Sequence, residues 1–220
     1  MLIRATSDRK FAVRPVLDKR APDLNWIGGT RMCMSNLADM LSAIHFAADR
    51  HKNQRRKDVE VSPYINHPIA VAHLLSTTGK ITEVSVLQAA ILHDTIEDTH
   101  TTFEELRLLF GQEVATLVAE VSDDKSQPKQ LRKDLQVQHA AQKSHKAAMI
   151  KIADVTCNLR DLINAPPPQW SLERRKEYFG WAARVVAGLH CDNASLLRAF
   201  EIVRELGAGL HPGEVLDLER

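Results

Sequence analysis

His93-Asp94 and, two residues on, Glu97-Asp98 crowd four ionisable side chains into the otherwise apolar run from Ala89 to Thr99. On a continuous helix, residues four apart stack on one side, so His93 with Glu97 and Asp94 with Asp98 would form two adjacent columns. Desolvating that many polar groups is costly without compensation, and a divalent cation is the usual compensation. Neutral imidazole and carboxylate oxygens suit borderline ions such as manganese, iron or zinc, and a small ligand set leaves positions open for water and substrate. His67, His93, Asp94 and Asp154 are the candidate ligands. Spacing alone ties only His93 to Asp94. A buried hydrogen-bonded pair accounts for that doublet equally well, a capping or packing histidine for His67, and a solvated helix residue for Asp154.

A cation lowers the pKa of a bound water from about 15.7 towards about 7, and a neighbouring carboxylate can orient that water or move its proton. Glu97 and Asp98 suit that task, the bland alternative being a solvated helix end. Acidic residues at a helix C-terminus oppose the macrodipole, a cost that favours a purpose beyond solubility. Arg55-Arg56-Lys57 supplies forked and mobile cations for phosphate, or else a solvated charge run. Trp170 and Tyr178 offer faces for a base or ribose, or else belong to the core.

Elements must hold these residues in place, and from Asn36 onward the pattern is of successive helices with short punctuation and no convincing period-2 strand. Leu37, Leu41, Ile44 and Ala48 form the stripe of a first amphipathic helix, followed by a polar segment from His51 to Ser62. Pro68 suits a first helical position and sets His67 at a helix mouth; that helix ends near Gly79. Thr82 is the expected cap of the His-Asp helix, which is apolar on nearly every side and therefore central. Thr102 with Glu105 makes a capping-box pattern for a short helix closing at Gly111, and another ends near Ser122. Asp123-Asp124-Lys125 and Pro128 mark a loop ahead of a polar surface helix over 129–141. Ser144 caps a long helix with Ile152, Val155, Leu159 and Leu162 as its core stripe, Asp154 and Asn158 lying one turn apart on another face. Pro166-Pro167-Pro168 stops it. Ser171 starts a helix on which Arg174, Tyr178 and Trp181 share a side, and the last helix spans about 193–207.

At 220 residues and 24.7 kDa, with 44% hydrophobic residues, the chain has material for one substantial core. The expected organisation is an N-terminal extension over 1–35, one catalytic domain over 36–207 and a C-terminal tail over 208–220. The extension either belongs to the mature protein or precedes an alternative start at Met34. Asp8, Asp18 and Asp23 interrupt any transit-peptide pattern in it. A net charge of +1 gives no broad surface for nucleic acid or an anionic membrane, leaving phosphate binding to local clusters. Cys33, Cys157 and Cys191 are odd in number and scattered, which suits a reducing compartment rather than a disulfide framework or thiolate zinc site. No apolar run approaches the roughly 20 residues that cross a bilayer. A soluble, cytoplasmic protein is expected.

Arg55-Arg56-Lys57, Pro63-Tyr64-Ile65-Asn66-His67-Pro68, the Ala90–Thr99 run, Ser122-Asp123-Asp124-Lys125 and the Lys151–Leu162 segment together resemble the HD phosphohydrolase superfamily. Within it they look most like the hydrolase domain of RelA/SpoT proteins in its single-domain form, the metazoan SpoT homologue and the small alarmone hydrolases. The likeness runs in one order from Leu37 to Phe200. It implies an all-α HD-domain helical bundle and manganese-dependent (Mn2+) removal of the 3′-pyrophosphate from guanosine tetraphosphate or pentaphosphate (ppGpp, pppGpp). By resemblance, His67, His93, Asp94 and Asp154 are metal ligands and Glu97 and Asp98 the acidic catalytic pair. Asn158 would lie beside metal and ribose, Arg56 and Lys57 near the substrate, and Trp170, Arg174 and Tyr178 around the nucleotide. NADPH 2′-phosphatase activity is a second reading, and a binding-only nucleotide sensor a third. Many relatives have a basic residue directly after the Asp154 position and an aromatic or His before the Asn158 position. Val155 and Cys157 stand there instead, so local packing or substrate preference is expected to differ.

Overall fold

The computed structural model describes residues 30–209, with side chains from residue 36. Residues 1–29 and 210–220, most of the expected extension and tail, lie outside the described residues; 30–35 are the opening turns of the first helix. The described residues form α1 (Thr30–Arg50), α2 (Asn66–Thr77), α3 (Val84–Leu92), the single turn α4 (Thr95–Asp98), α5 (Phe103–Phe110), α6 (Gln112–Val121), α7 (Lys129–Gln138), α8 (His145–Asn164), α9 (Leu172–Gly188) and α10 (Ala194–Ala208). A 3-10 turn at Ala140–Gln142 precedes α8. Among the described residues there is no strand, only an isolated bridge between Arg55 and Pro63. The fold is all-α.

Local chemistry explains most boundaries. Thr102 Oγ1 accepts the Glu105 N–H (3.1 Å), and Ser144 Oγ accepts the Ala147 N–H (3.2 Å). Ser171 and Asn193 cap α9 and α10 in the same way. Glu105 does not return a side-chain bond to its own cap; it pairs with Arg50 and ties α5 to the end of α1. Thr82 is not a cap either. The N-cap of α3 is Glu83, with no side-chain bond.

Two helices make the centre. α3 packs against α1, α2, α6 and α8, while α8 packs against α2, α3, α6, α9 and α10. α8 is buried without interruption from Ala147 to Cys157, so its core is wider than the expected stripe. Ala147, Ala148 and Ala153 let neighbouring helices close in. α7 carries no buried residue and lies on α9, as its polar composition requires. At the far end, a Cβ on Gly207 would fall 1.9 Å from the Phe179 ring, so only glycine lets α9 and α10 meet there.

Two further expectations need correction. The buried face of α1 carries Ala43 and Ala47, while Leu37 and Leu41 are exposed. At about 100° per residue this rotates the core face by roughly a quarter turn. Small alanines allow close approach to α3, where a leucine face would hold the helices apart. The second correction concerns the His-Asp run, which is not one helix. α3 stops at Leu92, Asp94 has φ −96° and ψ −2°, and α4 restarts at Thr95. Thr95 Oγ1 donates to the Leu92 carbonyl (2.7 Å), satisfying one acceptor at the break. Neighbours on a continuous helix point about 100° apart. The break lets His93 and Asp94 converge on one spot.

Candidate metal centre and adjoining cleft

Three elements bring imidazole and carboxylate together: the first turn of α2 (His67), the α3–α4 junction (His93 and Asp94) and the middle of α8 (Asp154). Single ligand atoms of His67, His93 and Asp154 all lie within 4.8 Å of one another, and all three residues are buried. Asp154 Oδ1 sits 3.2 Å from His67 Nε2 and 3.8 Å from His93 Nε2. Asp94 joins through its Oδ2, 3.0 Å from His93 Nε2. His93 Nδ1 donates to the Ala90 carbonyl (2.8 Å), which fixes the ring and leaves Nε2 aimed at the carboxylates. That Nε2 is buried without a hydrogen-bond partner despite its closeness to Asp94. A buried nitrogen facing two carboxylate oxygens needs a proton or a cation between them, and a divalent ion fits this donor set.

Without an ion, a proton on His93 takes that place. Burial alone would neutralise these groups, but their mutual attraction outweighs it. Burial disfavours the His93 imidazolium, yet the Asp94 and Asp154 carboxylates raise its pKa to about 9. Burial likewise works against the Asp94 carboxylate, yet His93 keeps it well below the usual range. Asp154 is held well below it by Lys151, His67 and His93, again against burial. Tyr64 Oη donates to Asp94 Oδ2 (2.6 Å), and Asn158 Nδ2 donates to Asp154 Oδ1 (2.6 Å), orienting both carboxylates.

Glu97 and Asp98 part company on α4. Glu97 is pinned towards α7: the Asp123 N–H donates to its Oε2 (3.0 Å), and Arg132 Nη1 donates to its Oε1 (3.3 Å). Lys125 Nζ lies 3.5 Å from Glu97 Oε1. Burial, with the Asp94 and Asp123 carboxylates, still raises the Glu97 pKa. Asp98 turns into the cleft. Its Oδ2 accepts from Gln54 Nε2 (2.7 Å), and its Oδ1 pairs with Lys125.

A cleft of about 520 Å³ opens over His67 and Asp98, and Arg56, Lys57, Tyr64, Asn158, Asp161, Trp170 and Tyr178 are among the residues that line it. Arg56 Nη2 donates to Asn158 Oδ1 (3.1 Å) and to Asp161, with its guanidinium 5.6 Å from the Tyr64 ring centre. Arg174 is stacked on Trp170 at 4.3 Å instead of lining the cleft itself, and Lys129 approaches the same ring at 5.8 Å. Trp170 and Tyr178 rings lie 5.8 Å apart. Val155 and Cys157 point into the core, 0% and 4% exposed. Burial pushes the Cys157 thiol up to about 12, so these departures from the family pattern concern packing.

Sequence reasoning assigned no role to Gln54, Tyr64, Lys125, Arg132, Lys151 or Asp161. Helical spacing was a usable signal for two of them. Lys151, Asp154, Asn158 and Asp161 follow at intervals of three, four and three, one face of α8. Arg132 and Gln54 reach the acidic pair only through tertiary packing.

Comparisons with known proteins give the family. The HD domain family matches residues 43–179. The chain is 56% identical over 162 residues to the Xenopus tropicalis protein named guanosine-3′,5′-bis(diphosphate) 3′-pyrophosphohydrolase MESH1, covering 74% of this chain and 90% of that one. The Homo sapiens MESH1 protein is 52% identical over 167 residues, covering 76% and 93%. A solved structure of a metazoan ortholog of SpoT that hydrolyses ppGpp and plays a role in starvation responses aligns with TM-score 0.75 at 45% identity. That alignment covers 79% of this chain and 97% of the other. With the fold, the buried His-Asp cluster and these matches in agreement, the chain belongs to the HD-domain family, among the metazoan SpoT homologues of the MESH1 type.

Proposed function

We propose that this protein is a manganese-dependent hydrolase that removes the 3′-pyrophosphate of guanosine tetraphosphate or pentaphosphate, yielding pyrophosphate and GDP or GTP. The observation that carries the reading is a buried His67-His93-Asp154 cluster, joined by the partly exposed Asp94, that meets a cleft with cationic and aromatic walls at His67. The relatives' names supply the substrate. A divalent ion in the cluster supplies Lewis acidity and a water of lowered pKa. Asp98, reaching the cleft, orients the attacking water, while Glu97, held by the Asp123 N–H and Arg132, steadies the α4 turn behind it. Arg56 and Lys57 hold phosphate oxygens, Asn158 steadies the ribose, and Trp170 backed by Arg174, with Tyr178, stacks the base. Cys157 and Cys191 are free thiols, in keeping with a cytoplasmic setting, and among the described residues no helix is long and apolar enough to cross a membrane.

The test is to strip the protein of metal, reload it with Mn2+, and follow pyrophosphate release from ppGpp. Turnover that Asp94→Ala abolishes supports the reading. Faster phosphate release from NADPH at matched concentration moves the assignment to a 2′-phosphatase. Tight ppGpp binding without turnover across several divalent metals makes the protein a sensor.

A further inference from the structure

We propose that Lys151 is a positioning residue for the metal centre: it takes one oxygen of Asp154 out of reach, so that the carboxylate offers an ion a single oxygen and dampens its charge less. The two oxygens of Asp154 are already divided. Oδ2 accepts from Lys151 Nζ at 3.0 Å, while Oδ1 faces His67 and His93 and accepts from Asn158. Lys151 stands three positions before Asp154 on α8, so the helix itself sets the pairing.

Lys151 is 8% exposed, and its ammonium has no business in a core unless something requires it there. Replacing a buried ion pair by apolar side chains of similar volume is commonly neutral or stabilising. Stability therefore gives a weak reason for this lysine. The charge inventory gives a stronger one. Among the cations the structure places at the site, Lys125 and Arg132 attend Glu97 and Asp98, while Lys151 alone of the three pairs with a candidate ligand. Without it, Asp154 is free to chelate through both oxygens, filling a coordination position and lowering the acidity of whatever the ion binds.

The inference rests on the metal-hydrolase reading, but its deciding measurement needs no nucleotide. Mn2+ is titrated calorimetrically into metal-free wild-type protein, Lys151→Met and Lys151→Arg. Loss of a full positive charge beside the ligand makes Lys151→Met bind Mn2+ about fivefold tighter or more. Its kcat for ppGpp falls about tenfold while KM stays within about twofold, and Lys151→Arg, which keeps a charged donor to Oδ2, restores both towards wild type. Mn2+ affinity of Lys151→Met equal to or weaker than wild type overturns the proposal, whatever the activity. Should that variant fail to fold by circular dichroism, Lys151→Gln decides instead: tighter Mn2+ binding supports the role and unchanged or weaker binding overturns it. Wild type that binds Mn2+ yet releases no pyrophosphate overturns the substrate assignment alone.

Discussion

Tyr64→Phe deletes one oxygen beside the candidate metal centre and nothing else. The lost hydroxyl donates to Asp94 Oδ2 at 2.6 Å, the same oxygen that lies 3.0 Å from His93 Nε2. The ring's contacts survive: His51 at 4.9 Å, His67 at 6.1 Å and the Arg56 guanidinium at 5.6 Å. A hydrogen bond to a charged acceptor contributes about 1.5–3 kcal/mol. Spent on holding Asp94 in its ligating rotamer, that energy corresponds to a 10- to 100-fold loss of metal affinity, about the cost of removing an outer partner of a metal ligand. Unlike Lys151, the hydroxyl carries no net charge, so its removal loses orientation without making the site more negative. The metal-free protein should also melt lower, by about 3–12 °C at 2–4 °C per kcal/mol for a chain of this size. Calorimetric titration of Mn2+ and thermal melting of metal-free protein measure the two effects. An affinity within about twofold of wild type would refute the reasoning, because the Tyr64 bond would then not be positioning Asp94.

Two further outcomes follow from the same geometry. His93 has its pKa raised to about 9 against an ordinary 6.5, so in metal-free protein it contributes stability that is fully present below pH 6.5 and lost as pH rises through 9. Melting of EDTA-treated protein from pH 6.5 to 9 should show that decline, while the gain on adding Mn2+ grows over the same range as the proton leaves; a flat metal-free profile contradicts it. Trp170→Ala removes the stacking face at the cleft wall, where a stacked base contributes about 1–3 kcal/mol. Steady-state kinetics with ppGpp should show KM raised about 5- to 150-fold with kcat nearly kept, and an unchanged KM would remove Trp170 from the binding site.

Features with a local cause were legible in the sequence. Thr102, Ser144 and Ser171 cap where their hydroxyls reach the next turn's N–H groups, and Ile152, Val155, Leu159 and Leu162 enter the core on a helical period. The break at His93-Asp94 was hidden because Ala89 to Ile96 contains neither Gly nor Pro and reads as uninterrupted helix. Convergence on partners from α2 and α8 stabilises it, and those partners are distant in sequence. The face of α1 was misread for a related reason: leucine outranks alanine in hydrophobicity, but a close helix contact selects the smaller residue. Arg56 with Asp161 and Arg132 with Glu97 join positions 105 and 35 residues apart. No local pattern announces such pairs.

The cleft carries its own counter-ions. Arg56 is already paired with Asp161, and Lys125 with Asp98. A phosphate that is to reach either cation must therefore displace a carboxylate that stays beside it, instead of landing on a bare cation. Because the displaced carboxylates stay tethered in the cleft, the filled state is more negative than the empty one. On the proposed reading the same two carboxylates compete with bound product for Arg56 and Lys125, and that competition favours its release.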